Sequence, residues 1–94
     1  MQYVLIIHKV EDYDKWKAVY DEDTANREDN GSNGAHVFRS ADNPDEVMIL
    51  FKWDDLDNAR KFFRSKELKK KMQDGGVQGK PNIYFIEEIG RTSA

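Results

Sequence analysis

Four strand-like segments of this chain have almost no polar face. Val4-Leu5-Ile6-Ile7, Val37-Phe38, Val47-Met48-Ile49-Leu50-Phe51 and Ile83-Tyr84-Phe85-Ile86 are nearly continuous apolar runs. Successive side chains of a strand point to opposite sides of a sheet, so a sheet with one wet face alternates apolar and polar residues. Runs without alternation require cover on both faces. Only two helical stretches are long enough to help, and two helices cover one face of a four-stranded sheet. A second copy of the same chain is the simplest cover for the other.

The order of the elements follows from local signals. Tyr3 to Lys9 is expected as a strand. Asp12 can cap a helix whose apolar positions Tyr13, Trp16, Val19 and Tyr20 form one stripe, and this helix is expected to fray by about Asn30. Asn30-Gly31-Ser32-Asn33-Gly34 is expected as a loop. Ala35 to Ser40 and Val47 to Trp53 flank the turn-forming Asp42-Asn43-Pro44-Asp45 and predict a hairpin. Asp54 or Asp55 then caps a second helix with Leu56, Ala59, Phe62 and Phe63 on its stripe. Ser65 begins a short further helical piece carrying Leu68 and Met72, which Gly75-Gly76 terminates. A connector through Pro81 leads to a last strand over Asn82 to Ile89.

This order is β-α-β-β-α-β, the ferredoxin-like arrangement of the α+β class. It places both helices on one face of a four-stranded antiparallel sheet, with the first and third strands in the centre. Residues 1–90 are expected to form one domain, with 91–94 a C-terminal tail.

Composition narrows the function classes. A chain of 94 residues with 38% hydrophobic and 12% aromatic content can bury a modest core, but it is near the size where association adds useful stability. Apolar runs stop at about five residues, far short of the roughly 20 that span a bilayer. Met1-Gln2-Tyr3-Val4 lacks a basic leader and a small-residue cleavage pattern, so it is expected as strand and not as a signal peptide. There is no cysteine, which excludes disulfides, thiol catalysis and thiolate zinc sites, and which fits a cytoplasmic location. Acidic residues crowd the first helix and lysines the region from Arg60 to Lys71. Two solvated helix faces lying side by side account for this better than a basic patch for an anionic partner.

The motifs exclude more than they assign. Gly75-Gly76-Val77-Gln78-Gly79-Lys80 resembles a phosphate loop only superficially: a match needs glycine at Asp74 and a hydroxyl at Pro81, and it must precede a helix. Nucleic-acid binding is not expected. The third strand lacks the glycine and exposed aromatic pair with which RNA-recognition sheets stack bases, and the net charge is −3. His8 and His36 fall on strands separated by a third, too far apart to share a metal within one subunit. No metal site is expected. His8 ends a central strand near the start of the Trp16 stripe, where Phe62 and Met72 approach. It is either a hydrogen-bonded structural residue or the titratable tip of an aromatic-lined hollow.

The stretch from Phe51 to Leu68 resembles the strand-to-helix segment of the dimeric α/β-barrel superfamily, which includes the antibiotic-biosynthesis-monooxygenase-like proteins. Trp53 closes the third strand, Ala59-Arg60-Lys61-Phe62 gives the Ala-x-x-Phe helix, and Ser65-Lys66-Glu67-Leu68 starts the extra turn. The resemblance implies a homodimer whose sheets pack face to face, with a ligand hollow in each subunit between sheet and helices. The haem-degrading branch places an asparagine, a tryptophan and a histidine where this chain has His8 or a neighbour, Phe62 and Met72, so haem breakdown is not implied. Other members of the superfamily are cofactor-free oxygenases of phenols or quinols, polyketide cyclases and isomerases, so the resemblance implies small-molecule chemistry of the monooxygenase-like kind, with cofactor-free oxidation of a phenolic, quinol or polycyclic ligand as the leading expectation. In that reading the residues themselves suggest His8 as catalytic residue, with Trp16, Tyr20, Phe62 and Met72 binding the ligand in an apolar pocket. The alternative is a non-catalytic dimer that binds a ligand or partner, with His8 structural.

Overall fold

A computed structural model describes residues 2–94. Strand β1 (Gln2–Val10) is followed by helices α1 (Tyr13–Glu22) and α2 (Thr24–Asp29), the hairpin β2 (Ser32–Arg39) and β3 (Glu46–Trp53), helices α3 (Leu56–Arg64) and α4 (Lys66–Asp74), and strand β4 (Val77–Glu87). The strands form one antiparallel sheet in the order β2-β3-β1-β4. This is the ferredoxin-like α+β fold expected from the sequence, with the first expected helix realised as a helical pair and the second helix followed by the expected further piece.

The three expected caps are in place. Asp12 accepts from the backbone N–H of Asp14 and Lys15, Asp55 from Asp57, and Ser65 from Leu68. Each satisfies amide groups that the first turn of a helix leaves without an intrahelical partner. Three features differ from expectation. The first helix does not run through to Asn30 but breaks at Asp23, which caps α1 and opens α2. Strand β2 begins at Ser32, inside the expected loop, because Ser32 pairs with Trp53 before the ladder resumes at Ala35. Gly31 makes this entry possible. Its φ is 109°, and a Cβ there would lie 2.3 Å from a carboxylate oxygen of Asp54.

Strand β4 also begins earlier than expected, at Val77. Ile7 pairs with Asn82 and Lys9 with Gln78, so Gly79, Lys80 and Pro81 form a bulge opposite His8. Gly79 takes the positive φ of 68° that this irregularity needs. Pro81, which has no N–H to give to a ladder, is tolerated because β4 is an edge strand. The glycines and proline that suggest a connector in the sequence mark a kink within a strand.

The core lies between sheet and helices. Val4, Ile6 and Val10 of β1 and Val47, Ile49, Phe51 and Trp53 of β3 are at most 2% exposed, and Trp16, Ala59 and Phe62 close over them. Each fully buried Val or Ile side chain contributes about 1.5–3 kcal/mol. The Trp53 indole N–H donates to the Asn30 carbonyl at 2.9 Å, tying the end of α2 to the end of β3. The ion pairs of the described residues are local to single segments: Lys17–Asp21, Asp57–Arg60 and Glu88–Arg91. The segregated acidic and basic helices meet where α1 touches α4, and none of these three ion pairs joins them.

Candidate functional site

Strict alternation along β1 sends Val4, Ile6, His8 and Val10 to the helix-covered face. His8 is therefore a polar side chain in a row of aliphatic ones, and it is 5% exposed. Its ring meets Trp16 of α1 edge-on, with centroids 5.5 Å apart and planes at 71°. Trp16 in turn stacks on Tyr20 at 4.9 Å, one helical turn later. His36 pairs with Leu50 on β2 and so faces the opposite side of the sheet from His8.

A cavity of about 50 Å³ opens beside His8. Trp16, Val19 and Tyr20 wall it from α1, Ile49 and Phe51 from β3, Phe62 and Phe63 from α3, and Leu68, Lys71 and Met72 from α4. His8, Trp16, Tyr20, Phe62 and Met72, the five residues singled out in the sequence, all line this one cavity.

The electrostatics of the cavity are set by burial. Nδ1 of His8 is buried and has no hydrogen-bond partner among the described residues. Removal from water disfavours the imidazolium and pushes the His8 pKa below 6.5, with a smaller opposing effect from its own backbone. Burial therefore favours the neutral ring, whose Nδ1 is closed off from solvent and has no protein partner among the described residues. Burial likewise holds the Tyr20 hydroxyl above its usual range, against the pull of Arg27 and Lys17. Among the described residues, no group of three or more His, Cys, Asp or Glu side chains is placed to hold a metal ion.

Among the lining residues not singled out in the sequence, two are both charged and buried. Asp23 and Arg27 are each 8% exposed and reach the cavity from the α1–α2 junction. Their signal is the spacing: Trp16, Tyr20, Asp23 and Arg27 continue a single helical stripe, in which the apolar positions give way to polar ones. The guanidinium of Arg27 lies 3.7 Å above the Tyr20 ring centroid. It donates from Nη1 to the Tyr20 carbonyl at 2.8 Å and from Nη2 to Thr24 Oγ1 at 3.1 Å.

Solved structures of the same architecture are numerous, although no family model and no curated protein matches this chain. An antibiotic-biosynthesis-monooxygenase-type protein from Bordetella bronchiseptica superimposes with a TM-score of 0.78 at 14% identity, over 94% of this chain and 96% of its own. SnoaB, a cofactor-independent oxygenase from Streptomyces nogalater, superimposes with a TM-score of 0.74 at 10% identity, over 99% and 96%. An antibiotic biosynthesis monooxygenase gives 0.72 at 9% identity, over 96% and 100%. The chain has the fold of the antibiotic-biosynthesis-monooxygenase-like proteins. Coverage is close to complete in both directions, so the shared architecture is the whole unit and not an embedded motif. None of the described helices is long and apolar enough to cross a membrane.

Proposed function

We propose that this protein is a small-molecule enzyme of the monooxygenase-like kind, which oxidises a phenolic or quinol ligand in the cavity beside His8 without a cofactor. The observation that carries this reading is the buried, unpartnered Nδ1 of His8 on an aromatic-walled cavity. A neutral imidazole there accepts the phenolic proton, and the resulting phenolate is electron-rich enough to react with dioxygen. Replacing a ring C–H by a carbonyl consumes one O₂. One oxygen atom enters the quinone product, and the other leaves as water with the two hydrogens removed. Trp16, Tyr20, Phe62 and Met72 position the ring. The oxygenase of like fold from Streptomyces nogalater supports a reaction of this class.

At about 50 Å³ the cavity has room for only a few water molecules. A ring enters by displacing side chains that the cavity shares with two larger clefts. Tyr20 and Arg27 border a cleft of about 760 Å³ beside β2. Phe63, Leu68 and Met72 border a groove of about 300 Å³ beside the β4 bulge. The small volume is also what favours the second reading, a binding protein in which His8 is structural. Oxygen uptake on a panel of phenols and quinols, by wild type and His8→Ala, separates the two. Turnover lost in the variant supports the enzyme, absence of turnover by wild type supports the binding protein, and equal turnover removes His8 from the chemistry.

The working unit in this proposal is a homodimer formed through the uncovered sheet face, in a cytoplasmic setting consistent with a chain without cysteine. Leu5, Ile7, Met48 and Leu50 occupy the centre of that face half-buried, while Phe38 and Tyr84 are 51% and 49% exposed. Apolar area spread across all four strands is more than a soluble monomer normally leaves to water. A second copy offers the same near-continuous apolar surface in return. Sedimentation at micromolar concentration tests it, and a stable monomer would sink it.

A further inference from the structure

The cavity wall holds a cation that phenol oxidation does not use. Arg27 is more than nine-tenths buried, yet each of its contacts is neutral: the Tyr20 ring, the Tyr20 carbonyl and the Thr24 hydroxyl. The ion pairs of the described residues do not include it. Burying a charge is costly unless a counter-charge accompanies it. A clamp between α1 and α2 accounts for two hydrogen bonds of a group that has five N–H donors, and it leaves the charge unanswered.

The surroundings favour an anion as the missing partner. Arg27 and Lys71 give the lining two cations against the single carboxylate of Asp23. Asp23 is engaged elsewhere, accepting from the Asn26 amide at 3.3 Å. With Tyr20, Arg27 also borders the open cleft beside β2, so a charged group reaches it from solvent before a ring passes the aromatic wall. One guanidinium with a carboxylate in the same wall suits a singly charged group better than a phosphate dianion.

We propose that the ligand is an aromatic acid, its carboxylate seated on Arg27 and its ring directed inward toward Trp16 and His8. This rests on the reading of the His8 cavity as a ligand site, and it adds a charge requirement which that reading lacks.

The test uses 2-naphthoate and 2-naphthamide, matched in shape and differing in charge. Binding to the whole chain is followed by NMR of the Arg27 side chain and the Trp16 indole. Wild type is expected to bind the acid at least about tenfold more tightly than the amide. In Arg27→Gln the ratio is expected to fall to within about twofold. Equal affinities in wild type overturn the anion assignment and leave the ligand cavity standing. Failure of both compounds to bind overturns the cavity reading itself. A preference that survives in Arg27→Gln but disappears in Lys71→Gln places the anion on Lys71 and overturns the role of Arg27. Should Arg27→Gln not fold, the wild-type ratio and its persistence in Lys71→Gln still decide the matter.

Discussion

On one face of the sheet Val4, Ile6, Val47 and Ile49 are at most 2% exposed. One residue along each strand, Leu5, Ile7, Met48 and Leu50 are only half-buried on the other face, and Phe38 and Tyr84 stand about half in water. The residue types are nearly the same, so burial here is decided by what lies over the sheet. The faces do differ in their polar content. The helix-covered face holds His8 in its aliphatic row and faces buried Arg27, whereas on the uncovered face Leu5, Ile7, Met48 and Leu50 make the central strands apolar, with Lys9, Glu46 and Lys52 at their ends and exposed His36 and Asn82 on the edge strands beside them. Polar groups kept in a core at a cost to stability point to chemistry, and an exposed apolar stripe points to association.

The largest effect expected on the covered face comes from Trp53→Ala. It removes a side chain 2% exposed and its bond to Asn30, and it should cost about 3–5 kcal/mol by urea unfolding. A loss below about 1 kcal/mol would break the claim that this face is the close-packed one. On the uncovered face, Leu5→Lys should leave the subunit folded but weaken the dimer at least about a hundredfold by sedimentation. Unchanged assembly in that variant would move the interface elsewhere.

His8→Leu should reduce oxygen uptake about a hundredfold or more while raising stability by about 1 kcal/mol, because a buried nitrogen without a partner is removed. Its pH dependence has a definite sign. The folded pKa of His8 lies below 6.5, so the unfolded chain binds more protons in the window below that value. This contribution to stability is complete above about pH 6.5 and is lost as pH falls through the folded pKa. His8→Leu should flatten this slope in unfolding measured across that range. The smallest effect belongs to the solvent-exposed 2.6 Å pair Lys17–Asp21, where Lys17→Ala should change stability by no more than about 0.5 kcal/mol.

Much of the architecture was legible because its signals are local. The apolar runs mark all four strands, Asp12 and Ser65 mark two helix starts, and between Asp54 and Asp55 the structure selects Asp55 as the third. The cavity residues were legible for a related reason. Alternation puts His8 on the core face, and helical spacing turns Trp16 and Tyr20 toward it. The break at Asp23 was not, since Thr24 to Asp29 suits a continuing helix as well as a new one. Arg27 was hidden by its neighbours. In a run of acidic residues a lone arginine looks like part of a solvated face, and only the turn at Asp23 carries it inward. The β4 bulge is not legible in the sequence because glycine and proline punctuate loops and strand irregularities alike.

By itself the sequence determined the β-α-β-β-α-β order, the antiparallel sheet and the presence of apolar side chains on both of its faces. These follow from periodicity and capping, which act over a few residues. Tertiary structure decided which face the helices cover, how small the cavity is, and that a buried arginine shares its wall with His8. Those outcomes depend on contacts between residues far apart in the chain: the Trp53 indole with Asn30, and α4 with α1 across the molecule.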